Sequence, residues 1–147
     1  MKKLLHFFVV AVIGCYVCLS CQKSDIGSME DLVGTYSVEL EQNIVWGGSS
    51  GTTYDSGTIT ITKISDNRVQ LRGFISTTGE FINGKLHLDS ETNTDSYGYL
   101  TTTYNNVIFG GGILTIRANT YGQLATTPYG TRYTFSSIDY FKGWKID

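Results

Sequence analysis

Alternation of apolar and polar side chains at a period of two is the feature of this sequence that most restricts its fold. Its first run places Tyr36, Val38, Leu40, Ile44 and Trp46 on one parity, and mainly polar residues on the other. This pattern predicts a β-strand with one face in a core and the other in water. Shorter runs of the same kind follow at residues 57–63, 68–75, 80–82, 85–89, 97–104, 107–116, 131–135 and 140–146.

Turn-forming residues separate these runs, and Asn83-Gly84 is the strongest hairpin signal among them. Eight or nine short strands with almost no helical periodicity predict an all-β fold. We expect an antiparallel up-and-down barrel of about eight strands, with a β-sandwich as the alternative. The stretches 47–56, 90–95 and 119–128 are predicted to be loops. Gly110-Gly111-Gly112 is interpreted as a bulge in one bent strand or as a tight turn between two.

The first 25 residues have a different character. Lys2 and Lys3 precede an apolar run of 17 residues, Leu4 to Ser20, and the chain turns polar after Cys21. A positive start, an apolar middle and a small residue before the cut are typical of a secretory signal. A retained transmembrane helix is the alternative, because about 17 apolar residues are the least that can span a bilayer.

The Ser20-Cys21 junction resembles that of bacterial lipoprotein signal peptides. The resemblance implies a signal peptide at 1–20, a lipidated Cys21 that carries palmitate, and a tether over 21–29. It also implies a protein anchored in the bacterial outer membrane, on its periplasmic face or at the cell surface. Val12-Ile13-Gly14 also fits the residues expected before a lipidated cysteine, so Cys15 is the competing site.

Cysteine placement and charge exclude several kinds of function. Cys15, Cys18 and Cys21 all lie in the leader, which leaves the domain at 30–147 without a disulfide, a thiol nucleophile or a cysteine metal site. The whole chain carries a net charge of −2, and removal of Lys2 and Lys3 with the leader makes it −4. With no basic run either, nucleic acid is not an expected partner.

No catalytic signature is present, so we expect no enzyme activity, no cofactor and no metal. His87 is the one histidine outside the leader, and no Gly-x-Ser-x-Gly elbow accompanies the serines. Asp89, Glu91 and Asp95 could offer oxygens to Ca²⁺, but they lack the order of a calcium loop, and a solvated acidic loop is the preferred interpretation. The triple glycine lacks the lysine that a phosphate-binding loop needs.

A second resemblance concerns the start of the first strand. Leu32-Val33-Gly34-Thr35-Tyr36 follows a predicted helical turn that Ser28 would cap, and the stretch resembles the opening of calycins, the lipocalins and their relatives. In that family a Gly-x-Trp motif plugs one end of the barrel, and Tyr36 stands here in place of the tryptophan. Lipocalins also set a late basic residue against this aromatic, for which Arg132 and Lys145 are the candidates.

This resemblance implies a lipocalin-like barrel over residues 30–147. A barrel of about eight strands is either filled by its side chains or holds one small ligand. The first hypothesis is therefore a lipid-anchored protein that binds a small apolar or amphipathic ligand in the barrel mouth, under the 47–56 loop as a lid. The alternative is a filled barrel whose loops contact a protein or a glycan at the cell surface. The candidate ligand-binding residues are Tyr36, Val38, Leu40, Trp46, Tyr97 and Tyr99.

Overall fold

The computed structural model describes residues 28–147. The predicted signal peptide, the competing cysteines, Cys21 and most of the tether lie outside the described residues. One short helix is followed by nine strands: α1 Met29–Leu32, β1 Gly34–Trp46, β2 Ser49–Lys63, β3 Arg68–Gly73, β4 Thr77–Ile82, β5 Lys85–Leu88, β6 Glu91–Asp95, β7 Gly98–Gly110, β8 Ile113–Ala125 and β9 Arg132–Lys145.

All nine strands belong to one antiparallel sheet in the order β5-β4-β3-β2-β1-β9-β8-β7-β6. Neighbours in space are neighbours in sequence except where β9 pairs with β1, which is an up-and-down arrangement. The sheet curls into a half-barrel. The predicted all-β, barrel-like fold is therefore confirmed, and a single curled sheet takes the place of the two packed sheets of a sandwich.

The two edges of the sheet come from one interrupted strand. Every pairing is antiparallel, so β5 and β6 at opposite ends of the order run in the same direction. Only Asp89 and Ser90 separate them in sequence. The first part pairs with β4 and the second with β7, while β5 lies beside β7 without pairing to it. Counted as one, the two give the eight strands that the sequence predicts.

Differences in strand length divide the sheet into two ends. β3, β4 and β5 have 4 to 6 residues, whereas β1, β2, β7, β8 and β9 have 13 to 15. The short strands cover only the half of the sheet that holds the core, which we call the closed end. The open end is the remainder, where β1 runs from Leu40 to Trp46. Fully buried side chains of the closed end include Tyr36, Ile59, Ile61, Leu71 and Ile116.

Three segments predicted to be loops are strands. Residues 49–56 extend β2 and pair with β1, so the hairpin turn is Gly47-Gly48, both with positive φ. Residues 119–125 extend β8, and 91–95 form β6. Their Gly, Ser and Thr residues favour turns locally, but cross-strand pairing along the long neighbouring strands overrides that preference. The 47–56 lid is therefore a strand hairpin rather than a loop.

The triple glycine is the tight turn between β7 and β8, with positive φ at Gly111 and Gly112. Of the two interpretations drawn from the sequence, the turn is the one observed. The irregularity in this pair lies instead between Tyr104 and Asn106, where the register of β7 shifts by one residue. This bulge is at the point where β7 passes β5, and it bends the strand there.

The short helix α1 is held against the closed end by hydrogen bonds. Ser28 caps α1 by a capping box with Asp31. Tyr36 Oη donates a hydrogen bond of 2.6 Å to the Leu32 carbonyl, and its ring packs edge-on against Phe109 with centroids 6.1 Å apart. Lys145 lies opposite Tyr36 in the β1–β9 ladder, and its Nζ donates to the Asp31 carbonyl at 3.0 Å. Arg132 is at the other end of β9. Of the two basic candidates, Lys145 is therefore the one beside the aromatic.

Candidate ligand site

The concave face of the open end carries the candidate site. Residues directly opposite one another in an antiparallel ladder point to the same side of the sheet. Tyr36 and Val38 lie in the core, so the residues of β1 that share their parity (Leu40, Gln42, Ile44 and Trp46) face the concave side. The ladders extend this face across β9, β8, β7 and β6.

Two rows of mainly polar residues cross this face above the core, and Ala118 and Ile44 are their apolar members. The Asp139 row consists of Gln42, Asp139, Ala118 and Tyr104. The Ser137 row, one step further from the core, consists of Ile44, Ser137, Thr120, Thr102 and Glu91. Thr102 Oγ1 and Thr120 Oγ1 share a hydrogen bond of 2.8 Å within it.

Asp139 and Ser137 are the unusual members of these rows. Asp139 is 7% exposed and Ser137 3%. Asp139 Oδ1 and Ser137 Oγ nevertheless have no hydrogen-bond partner among the described residues. A buried polar atom without a partner costs about 1–3 kcal/mol, so most such atoms in folded proteins are paired. The open end therefore contains two adjacent polar groups whose hydrogen-bonding capacity the described residues leave unused.

Burial disfavours ionisation in this region. Burial raises the pKa of Asp139, and the nearby Gln42 and Ser137 side chains only oppose the rise. Burial also raises the pKa of Tyr104, with further contributions from the negative charges of Glu91 and Asp139. Tyr104 is thus close enough to both carboxyls to respond to each. A neutral phenol between two acidic groups is available as a hydrogen-bond donor.

Apolar side chains border the polar rows on the side away from the core. The Phe135 row, which is the next one outward, consists of Trp46, Phe135, Gly122, Leu100 and Asn93. Phe135 and Leu100 are half-buried and Trp46 is 41% exposed. Polar groups set between an apolar core and an apolar rim are typical of sites for amphipathic small molecules.

A second opening lies in the side of the half-barrel. It is a cavity of about 270 Å³ between β5 and β7, lined by Lys85–Leu88 and by Tyr104–Val107. It exists because β5 and β7 are adjacent but unpaired and because β7 bulges at this point. Tyr104 belongs both to this cavity and to the Asp139 row. The side opening and the polar rows therefore meet at Tyr104.

The structure separates the six predicted ligand-binding residues into three groups. Tyr36 and Val38 are buried in the core at the closed end. Leu40 and Trp46 lie on the concave face, below and above the polar rows. Tyr99 points to the convex face, since its neighbour Leu100 is in the Phe135 row, and Tyr97 is in the turn that leads into β7. Only Leu40 and Trp46 border the candidate site.

Sequence reasoning missed Ser137 and Asp139. The signal was present in β9, where Phe135, Ser137, Asp139 and Phe141 share one parity. Two polar residues enclosed by two aromatics on a core-facing parity indicate buried polar groups. The pattern was overlooked because residues 136–139 fell between two predicted strands, at 131–135 and 140–146, where the structure has a single strand.

The acidic residues considered for calcium do not converge. Asp89 accepts hydrogen bonds from Arg68 Nη2 at 2.7 Å and from the Thr78 hydroxyl. Asp95 accepts from the backbone N–H groups of the turn that follows it, and Glu91 lies in the Ser137 row. Among residues 28–147 no three His, Cys, Asp or Glu side chains are grouped as metal ligands. His87 is exposed on β5.

Comparisons with protein-family models, with curated proteins and with solved structures each gave no match. Over the part of the chain that the structure describes, no helix is long and apolar enough to cross a membrane.

Proposed function

We propose that this chain is a lipid-anchored binding protein of the bacterial envelope that holds a small amphipathic molecule on the concave face of its half-barrel. The observation that carries this proposal is the pair of buried, unpartnered atoms, Asp139 Oδ1 and Ser137 Oγ, between the core and an apolar rim. The polar group of an amphipathic ligand would form hydrogen bonds with these two atoms, and its apolar body would cover the apolar rim. No catalytic step is part of the proposal.

Adjacent residues on opposite faces of β7 supply the test. Leu100 is on the concave face and Tyr99 on the convex face. Native mass spectrometry of the protein purified from the cells that produce it should show a co-purifying small molecule. The variant Leu100→Glu should lose it, and the matched variant Tyr99→Glu should keep it. Equal retention by both variants, with circular dichroism showing both folded, would contradict the proposal.

The anchor is tested separately. The proposal places the lipid on Cys21, the first residue of the mature chain. Cys21→Ala should abolish labelling by radioactive palmitate, and Cys15→Ala should leave it unchanged. Label that persists in Cys21→Ala and disappears in Cys15→Ala would move the anchor to the competing cysteine.

The alternative is a surface protein that contacts a glycan or a protein, and one observation favours it. The convex face of β7–β9 exposes a stripe of aromatics, Tyr99, Tyr121, Tyr140 and Trp144. Two of these rings already have cation partners, since the Arg117 guanidinium lies 5.6 Å from the Tyr140 ring and Lys142 Nζ 5.3 Å from the Trp144 ring. Loss of envelope glycan binding in Tyr99→Glu, with the small molecule retained, would support this alternative.

A further inference from the structure

The charged residues on the concave face of the open end are all acidic. By register, the acidic residues on this face of the open end are Asp55, Glu91, Asp95 and Asp139. Asp95 already accepts hydrogen bonds from the backbone of the turn that follows it. No Lys, Arg or His takes a place on that face between the Asp55 and Trp46 levels in the described strands. The cations that share its parity, Lys63 and Lys145, are at the closed end. Lys63 Nζ contacts Glu30 at 3.1 Å, and Lys145 is held by the Asp31 carbonyl.

Cations from the solvent can neutralise exposed acidic residues, but Asp139 is not exposed. Its carboxyl group is enclosed at 7% exposure with one oxygen unpartnered, beside an equally unpartnered hydroxyl. Burying a carboxylate is strongly unfavourable unless a positive charge or hydrogen-bond donors accompany it. No positive charge in the described strands accompanies Asp139 Oδ1. The Gln42 and Ser137 side chains are close enough to lower the pKa of Asp139, but they leave this oxygen without a hydrogen bond.

We propose that the concave face of the open end binds ligands that carry a protonated amine. The ammonium group would lie against Asp139 and Ser137. The apolar body would lie along Ile44, Phe135 and Leu100. The inference rests on the function proposed above and names its ligand class. An ammonium group has three donors and no acceptor, so it suits acceptors that lack donors. Its hydrogen bonds to a carboxylate are charge-assisted and are roughly twice as strong as neutral ones.

Neighbouring groups favour the same chemistry. Glu91 adds a second negative charge at the end of the Ser137 row, and Tyr104, which belongs to the Asp139 row, is influenced by the charges of both carboxyls. An aromatic face near a bound ammonium contributes a further favourable cation–π contact. A carboxylate ligand would meet the opposite situation, because like charges would be brought together without a basic residue between them.

Three probes that differ only in their polar group test the inference. They are 2-phenylethylamine, 2-phenylethanol and 3-phenylpropionate, which are cationic, neutral and anionic at neutral pH. Isothermal titration of the full-length protein in phosphatidylcholine nanodiscs, with empty nanodiscs subtracted, measures each affinity. We expect the amine to bind about ten- to a hundredfold more tightly than the alcohol, as one charge-assisted site allows, and the carboxylate to bind most weakly.

Variants connect the preference to Asp139. Asp139→Asn keeps the shape and removes the charge, so the amine should fall to the affinity of the alcohol while the alcohol changes little. Glu39→Gln removes an exposed carboxyl on the convex face of β1 and should leave the preference intact.

The outcomes separate this inference from the proposed function. An alcohol that binds as tightly as the amine, or an amine preference that survives in Asp139→Asn, overturns the inference. If Leu100→Glu then still weakens both probes, the binding function stands without the amine. If no probe binds, the inference falls, and the native mass spectrometry comparison decides the function on its own.

Discussion

At the scale of single residues, the Tyr36 hydroxyl is the polar group on which the closed end most depends. It donates to the Leu32 carbonyl in a fully buried setting, and burial followed by the charge of Asp147 raises the pKa of Tyr36 to about 12. The phenol therefore stays protonated as a donor at neutral pH. Its replacement would leave a carbonyl at the end of α1 buried without a partner.

We expect Tyr36→Phe to lower the free energy of unfolding by about 1–3 kcal/mol. Chemical denaturation monitored by circular dichroism measures the change. Tyr121→Phe is the matched control, because Tyr121 is 56% exposed and should change stability by less than about 0.5 kcal/mol. Equal effects of the two substitutions would show that the buried hydrogen bond contributes nothing.

Asp139 gives stability a specific dependence on pH. Burial raises its pKa above the usual 3.8 that the unfolded chain retains, so the folded state binds this proton more tightly. Its contribution to stability is therefore complete below the unfolded pKa and is lost as pH rises through the folded one. Tyr104 and Glu91 also face this carboxyl, and both are present in the wild type and in the variant below.

Asp139→Asn cannot ionise and escapes this loss. We expect the free energy of unfolding of the variant, relative to wild type, to rise between about pH 3 and about pH 7, by about 1.4 kcal/mol for each unit by which the pKa is raised. Urea denaturation at several pH values measures the difference. A difference that stays constant over this range would contradict a buried carboxyl at this position.

At the scale of the strands, glycines decide how closely β7 and β8 approach. A Cβ built on Gly122 would lie 1.9 Å from the Tyr99 carbonyl oxygen, whereas a Cβ on Gly51 meets nothing within 4 Å. Both residues are on the concave face in extended strands. The neighbouring backbone therefore leaves no room for a side chain at Gly122, whereas Gly51 has room for one.

Gly122→Ala should force β7 away from β8 and destabilise the fold by about 1–3 kcal/mol, the usual cost of overpacking. Gly51→Ala should be neutral or slightly stabilising, because alanine restricts the unfolded chain. Thermal melts of the two variants against wild type compare them directly. A neutral Gly122→Ala would show that the two strands can separate without loss.

The strands also show how far the sequence predicts the fold. Period-two alternation identified the strand starting at Gly34 and the all-β class, because burial of one face imposes a local pattern on the sequence. The Asn83-Gly84 hairpin was identified by its turn residues. It missed 49–56 and 119–125, whose polar residues become strands only through pairing with long neighbours. The site was harder to predict, since the Asp139 row joins β1, β9, β8 and β7, and only the register of three ladders brings its members together.

At the scale of the whole molecule, the half-barrel depends on the switch between β5 and β6. Asp89 secures this point: Arg68 and Thr78 bond its carboxylate, its N–H donates to the Thr78 carbonyl at 2.8 Å, and its carbonyl accepts from Thr77 Oγ1 at 3.0 Å. These bonds hold the end of β5 on β4 before the chain crosses to β7. Beside this point, β5 and β7 are separated by the side opening rather than joined by a ladder.

Hydrogen exchange should therefore be graded around the sheet. Amides of β1, β8 and β9, each paired on both sides, should be the most protected, and those of the edge strands β5 and β6 the least, since local opening follows the number of bonds to be broken.

Asp89→Ala should lower protection in β5 and β6 by about 1 kcal/mol, the scale of a partly exposed ion pair and its hydrogen bonds. It should leave β8 and β9 unchanged. The exposed Asp66, which contacts Lys63 at 3.7 Å, supplies the control Asp66→Ala, which should leave both edge strands as protected as in wild type. Equal protection of β5 and β8 in the wild type would mean that β5 and β7 pair in solution and that the side opening is closed.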